Sequence, residues 1–172
     1  DPPSLLSDAP APAVPPQGIE ALAAMLNEAK QPIIVTESSA RSPAIAERIV
    51  EVAEVLGAPV IETRSTGYLN FPRNHPLHGG YDPREVLGEA DAVFLITSIA
   101  PWHPASTGPG PKVKVAFLDE NPLRSELPYW GFKADLILTG EVETALDHLL
   151  EHLKKLVSKS DPKISERSER WR

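Results

Sequence analysis

The chain has 172 residues, 41% hydrophobic and 24% charged, the balance of one well-buried globular domain. Its formal net charge of −7 counts against a nucleic-acid surface, and the lack of cysteine excludes disulfides, thiolate metal sites and a cysteine nucleophile. No apolar run approaches the ~18 residues of a membrane span and no signal peptide opens the chain, so a cytoplasmic location without membrane contact is expected. Asp1 rather than Met stands first, and a fragment of a longer polypeptide is expected.

Residues 1–17 hold six prolines, Pro2, Pro3, Pro10, Pro12, Pro15 and Pro16, and read as an extended interdomain linker. Ile19, Leu22, Leu26 and Ala29 recur at helical spacing until Gln31-Pro32 closes the helix. Ile33-Ile34-Val35 is a β-branched run typical of a strand covered on both faces, and Glu37-Ser38-Ser39-Ala40-Arg41 is the turn after it. Ser42 suits an N-cap and Pro43 a first helical position, for a helix with Ile45, Ile49, Val52 and Leu56 on its buried stripe. Gly57 is placed to cap that helix in the left-handed region, and Pro59 stops it from resuming. A second strand begins at Val60-Ile61, completing a right-handed βαβ unit.

A long loop, Arg64 to Asp82, then leaves the carboxyl end of that strand, where an open α/β sheet holds its ligand. Further on, the pattern predicts a short helix over 83–89 and strands at 91–97, 113–118 and 136–138. A closing helix over 141–156 carries Val142, Ala145, Leu146, Leu149, Leu153 and Leu156 on one face, a row too short for a zipper. Residues 158–172, polar and mixed in charge, read as a disordered tail, which leaves 18–157 as the folded domain. Alternating strands and helices predict a three-layer αβα, Rossmann-like domain with a parallel sheet of five or six strands.

The order of motifs carries a resemblance. Ala58-Pro59-Val60-Ile61-Glu62-Thr63 is followed by a loop glycine, His75-Pro76-Leu77-His78-Gly79, Ala90-Asp91-Ala92-Val93-Phe94-Leu95-Ile96, and Leu118-Asp119-Glu120-Asn121-Pro122. From about Gly18 to Leu153 the chain resembles the central domain of thiamine diphosphate-dependent enzymes, the acetolactate synthase, benzoylformate decarboxylase and pyruvate oxidase group. Pro101-Trp102, Asn121-Pro122 and Pro128-Tyr129-Trp130-Gly131 resemble the acetolactate synthase-like branch.

The resemblance implies a three-domain parent, a homodimer or homotetramer. Thiamine diphosphate and magnesium would lie between an N-terminal pyrimidine-binding domain and a C-terminal diphosphate-binding domain. The chain contains no Gly-Asp-Gly magnesium motif, so none of its residues matches the catalytic ones. It is expected to be the non-catalytic middle domain of a lyase or transferase that decarboxylates a 2-oxo acid and releases or passes on the carbanion equivalent.

Middle domains of some relatives bind FAD, others an ADP-like group, and many nothing. Carried over, those cofactor positions are Ser38, Ser39, Thr63, Arg64, Ser65, Gly79 and Asp119. Two departures count against FAD. Glu37-Ser38-Ser39 replaces a glycine-rich turn, and Thr97-Ser98-Ile99-Ala100 replaces a Gly-x-Arg whose cation would contact phosphate or ring.

Other readings compete. A nucleotide-binding module holding FAD, NAD or an ADP group is the alternative; a free-standing Rossmann-like enzyme is a third. His75 and His78, with His103, raise a metal site, against a turn cap and local hydrogen bonds. Asp119 suits a ribose hydroxyl or, with Asn121-Pro122, a turn. Ser38, Ser39, Ser65 and Ser98 lack a Gly-x-Ser-x-Gly elbow, which counts against a hydrolase. Trp102, Tyr129 and Trp130 suit stacking on a ligand or closing a loop onto the core.

Overall fold

The computed structural model describes residues 11–64, 67, 69–102, 107–123, 132–157 and 161–170. Five strands, β1 (Pro32–Thr36), β2 (Val60–Glu62), β3 (Ala92–Ile96), β4 (Lys114–Asp119) and β5 (Leu136–Thr139), form one sheet in the order β2-β1-β3-β4-β5. Every pairing is parallel. The strand order reverses between β1 and β3, which makes their carboxyl ends the topological switch point. A sixth, irregular rung flanks β2: Leu77 O accepts from Val60 N at 2.8 Å, Gly79 N donates to Val60 O at 2.7 Å, and Gly80 O accepts from Glu62 N at 3.0 Å.

The helices are α1 (Pro16–Glu28), α2 (Pro43–Leu56), α3 (Arg84–Leu87), α4 (Val142–Leu156) and α5 (Pro162–Arg170). The punctuation read from the sequence holds at α2. Ser42 Oγ accepts from Ala44 N at 3.2 Å, Pro43 starts the helix, and Gly57 ends it at φ +63°. At α4 the Glu141 carboxylate is the cap, accepting from Glu143 N at 2.8 Å and Thr144 N at 2.7 Å.

The middle of the sheet is apolar but for Thr36 because both faces are covered: every residue of β1 and β3 is buried. The covers are unequal. On one face Ile34, Phe94, Ala116 and Leu118 pack beneath Leu22, Leu26, Ile49, Leu56, Leu146 and Leu149 of the three long helices. On the other, Ile33, Val35, Leu95 and Phe117 meet the short α3 through Val86 and Leu87, with Trp102 and Val113 from loops. This is the three-layer α/β fold expected, with one thin layer.

Two boundaries differ from expectation. Residues 11–15 of the expected linker pack on the domain, where Val14 is buried and Pro12 O accepts from Glu141 N at 2.9 Å, and α1 already begins at Pro16. Residues 162–170, expected to be disordered, form α5. Asp161 Oδ1 accepts from Lys163 N at 3.0 Å and Pro162 occupies the first position, repeating the Ser42-Pro43 start. The anchor is Arg167, only 3% exposed. Its guanidinium donates to Leu56 O at 2.9 Å, to Lys30 O at 3.3 Å and to Ala29 O, fastening the C-terminal ends of α1 and α2 together. Polar composition concealed an amphipathic helix whose inward residue is a cation matched to carbonyls rather than an apolar side chain.

Candidate functional site

At the switch point the turn after β1 faces the loop after β3. Ser39 Oγ donates to Ile96 O at 2.9 Å and shares a 2.5 Å hydrogen bond with Thr36 Oγ1. Ser38 reaches Thr97 O twice, through its N–H at 3.3 Å and its hydroxyl at 3.4 Å. The Glu37 carboxylate turns to the same loop, where its Oε2 accepts from Ile99 N at 2.6 Å and Ala100 N at 3.3 Å. Three consecutive side chains of one loop are therefore spent on the backbone of the next. The remaining space, lined by Ser38, Ser39, Arg41, Thr97, Asp119 and Val142, is a cavity of about 20 Å³, room for about one water.

The β3 loop bears strain where this clasp holds it. Thr97 has φ +45°, a left-handed conformation that is an outlier for a β-branched residue and costs about 1–3 kcal/mol. Its Oγ1 and the Ser98 Oγ are buried without a hydrogen-bond partner among the described residues. A third loop is tied in by Asn70, fully buried. It accepts from Ala40 N at 3.0 Å and donates through Nδ2 to Glu37 O at 2.9 Å and Glu62 Oε2 at 3.2 Å.

The cofactor positions inferred from sequence do not converge. Ser38, Ser39 and Asp119 line the small cavity. Thr63 and Arg64 line a separate, open cleft of about 370 Å³ with Tyr81, Arg84, Pro101 and Trp102. Arg64 is exposed there with φ +50°, while Arg84 forks onto Asp82, with Nε 2.9 Å from both carboxylate oxygens. That hydrogen bond holds the Asp82 carboxyl below its usual range. Gly79 belongs to neither space. It packs on β2, where an added Cβ would stand 3.2 Å from Pro59 Cβ and 3.3 Å from Val60 O. Asp119 Oδ1 accepts from Asn121 N at 2.9 Å, the turn bond expected of Asp-x-Asn-Pro. Ser65 lies outside the described residues, as do His103, Pro128, Tyr129, Trp130 and Gly131.

The histidines of the long loop bond within it through Nδ1 and reach Glu54 of α2 and Glu62 of β2 through Nε2. His75 Nδ1 accepts from Leu77 N at 3.1 Å, His78 Nδ1 accepts from Gly80 N at 3.3 Å, and His78 Nε2 meets Glu62 Oε1 at 3.1 Å. Among the described residues no three His, Asp or Glu side chains gather as a metal ion would require. Trp102 is buried against Phe132, edge to face with ring centroids 5.7 Å apart, so it closes a loop onto the core. Glu37 is what the sequence reading missed. Nothing local in Glu37-Ser38-Ser39 indicates that the carboxylate satisfies the neighbouring loop's amides.

The thiamine pyrophosphate enzyme central-domain model matches residues 19–149, most of the chain. The chain belongs to this family. Its fold agrees with solved structures of such enzymes. A protein of Mycobacterium smegmatis described as a thiamin diphosphate-dependent enzyme superposes with a TM-score of 0.71 at 24% identity, over 95% of this chain and 32% of that one. Benzoylformate decarboxylase from Polynucleobacter necessarius gives 0.68 at 18% identity, over 91% of this chain and 30% of that one. No curated protein sequence matches. This central domain thus spans about a third of the length of the solved proteins it resembles. No helix among the described residues is long and apolar enough to cross a membrane.

At the switch point the Ser38 and Ser39 hydroxyls thus donate to Thr97 O and Ile96 O, Glu37 Oε2 accepts from the Ile99 and Ala100 amides, and the space left is about 20 Å³.

Proposed function

We propose that this central domain is a scaffold rather than a reacting part of its enzyme. It would space a pyrimidine-binding domain from a diphosphate-binding domain in a cytoplasmic, oligomeric, thiamine diphosphate- and magnesium-dependent lyase or transferase acting on a 2-oxo acid. The observation that carries this reading is the zipped switch point: the position where this topology takes a ligand is closed by Glu37, Ser38 and Ser39. The family match and the chain's one-third share of its solved relatives support it. The test is calorimetric and kinetic. The purified chain with thiamine diphosphate, Mg²⁺ and pyruvate should show neither turnover nor tight cofactor binding. Either one seen with this chain alone refutes the scaffold reading.

The open cleft of about 370 Å³ favours one second reading, a module holding FAD, NAD or an ADP group between Arg64, Tyr81 and Trp102. Yellow colour in the purified protein, or a melting temperature raised by ADP, would select it. No shift with any of these ligands removes it.

A further inference from the structure

The clasp implies more than a filled crevice. Two consecutive backbone N–H groups, those of Ile99 and Ala100, converge on a single oxygen, Glu37 Oε2, at 2.6 and 3.3 Å. Successive amides aimed at one point make an anion-binding concavity, and bonds from such donors to an ionised oxygen are the strong kind. Glu37 is itself only 8% exposed, so its carboxylate is held in the protein rather than in water. Immediately before this amide pair in sequence come Thr97 and Ser98, whose buried hydroxyls have no partner among the described residues. Residues 97–100 thus present two amides to one oxygen, on a backbone bent into the left-handed region at Thr97.

We propose that residues 97–100 form an oxyanion site of which Glu37 is the built-in occupant. The ligand class is a small oxyanion, such as inorganic phosphate. An external anion is shut out by a rival that is tethered, and therefore present at high effective concentration. Asp119 and Glu120, on the adjacent cavity, repel it further. Removing the Glu37 carboxylate frees both amides. One substitution then turns a closed site into an open one. The proposal rests on local geometry and stands or falls independently of the scaffold reading.

The experiment is a phosphate titration at constant ionic strength, followed through the ¹⁵N amide resonances of Ile99 and Ala100 in wild type, E37A and E37Q. Saturable shifts of both resonances are expected in E37A only. Wild type keeps its carboxylate, and the E37Q amide oxygen still accepts from the two N–H groups. Where E37A does not melt cooperatively, E37S, too short to reach the loop, carries the same expectation. If neither melts cooperatively in chloride, phosphate must restore the transition. Folded E37A or E37S without a phosphate-dependent shift overturns the proposal, as does failure of phosphate to restore melting, or a wild-type response equal to that of E37A.

Discussion

Arg167 sits in the stretch whose composition argues least for structure, and it makes the sharpest stability prediction. Its guanidinium donates to Leu56 O at 2.9 Å and Lys30 O at 3.3 Å, with a third bond to Ala29 O. Burial pushes its pKa below the ordinary value, opposed by the charges of Asp91 and Asp161. A hydrogen bond to a charged group is worth about 1.5–3 kcal/mol, and the three here share one side chain, so their sum is an upper bound. Undocking of α5 admits water to the carbonyls and limits the loss further. R167A should therefore cost about 3 kcal/mol. At about 2–4 °C per kcal/mol for a domain of this size, the midpoint should fall by about 6–12 °C. R167K keeps the charge but not the planar fork, and should recover less than half. Thermal melting followed by far-ultraviolet circular dichroism reads the loss, and limited proteolysis should cut R167A first after residue 157. Deleting residues 158–172 without lowering the midpoint would show that α5 contributes nothing and refute the reasoning.

The remaining predictions concern the loops. N70A should destabilise by about 2–4 kcal/mol in urea titration, because it strips partners from Ala40 N, Glu37 O and the buried Glu62 at once. G79A should cost about 1–3 kcal/mol through crowding against Pro59, Ile61 and Val60 O, a stability loss that a purely ligand-facing glycine would not show. Burial alone would raise the Glu141 carboxyl, yet bonds from Thr144 and Glu143 leave its pKa below the ordinary 4.5. A carboxyl depressed by folding stabilises above its unfolded pKa and loses that contribution as pH falls through the folded value. The stability difference between wild type and E141Q should hold constant above about pH 4.5 and shrink towards zero in acid.

Much of the fold was legible because it rests on local patterns with one physical meaning. Ile33-Ile34-Val35 and Val93-Phe94-Leu95-Ile96 are too apolar for a half-exposed strand, and both are wholly buried. Ser42, Pro43 and Gly57 marked the limits of α2 because each fits only one end of a helix. The same logic applied to Asp161-Pro162 would have found α5; the polar composition of the tail outweighed it. The site was less legible. Ser38, Ser39, Thr63 and Arg64 follow strands that are adjacent in the sheet, yet they lie in two separate spaces because the turn after β1 folds onto β3. Which backbone amides a glutamate satisfies depends on contacts 62 and 63 residues away, at Ile99 and Ala100, and no local rule reports those.

The Glu37 clasp also supplies, from within the chain, partners for the loop groups at the switch point. Loops at that point present backbone N–H groups that a ligand satisfies in binding proteins. Left without a partner, such an N–H carries a cost that grows with its burial; here Ile99 is exposed and Ala100 half-buried. Glu37 removes the cost from within, and Ser38 and Ser39 do the same for the carbonyls of Thr97 and Ile96. At the opposite end of the sheet, Arg167 satisfies the last carbonyls of α1 and α2. Polar groups at both ends of the sheet are therefore answered by side chains of the same chain. An oxyanion admitted at residues 97–100 would replace a bond that folding already makes, which is why opening the site requires removing Glu37 rather than enlarging the cavity.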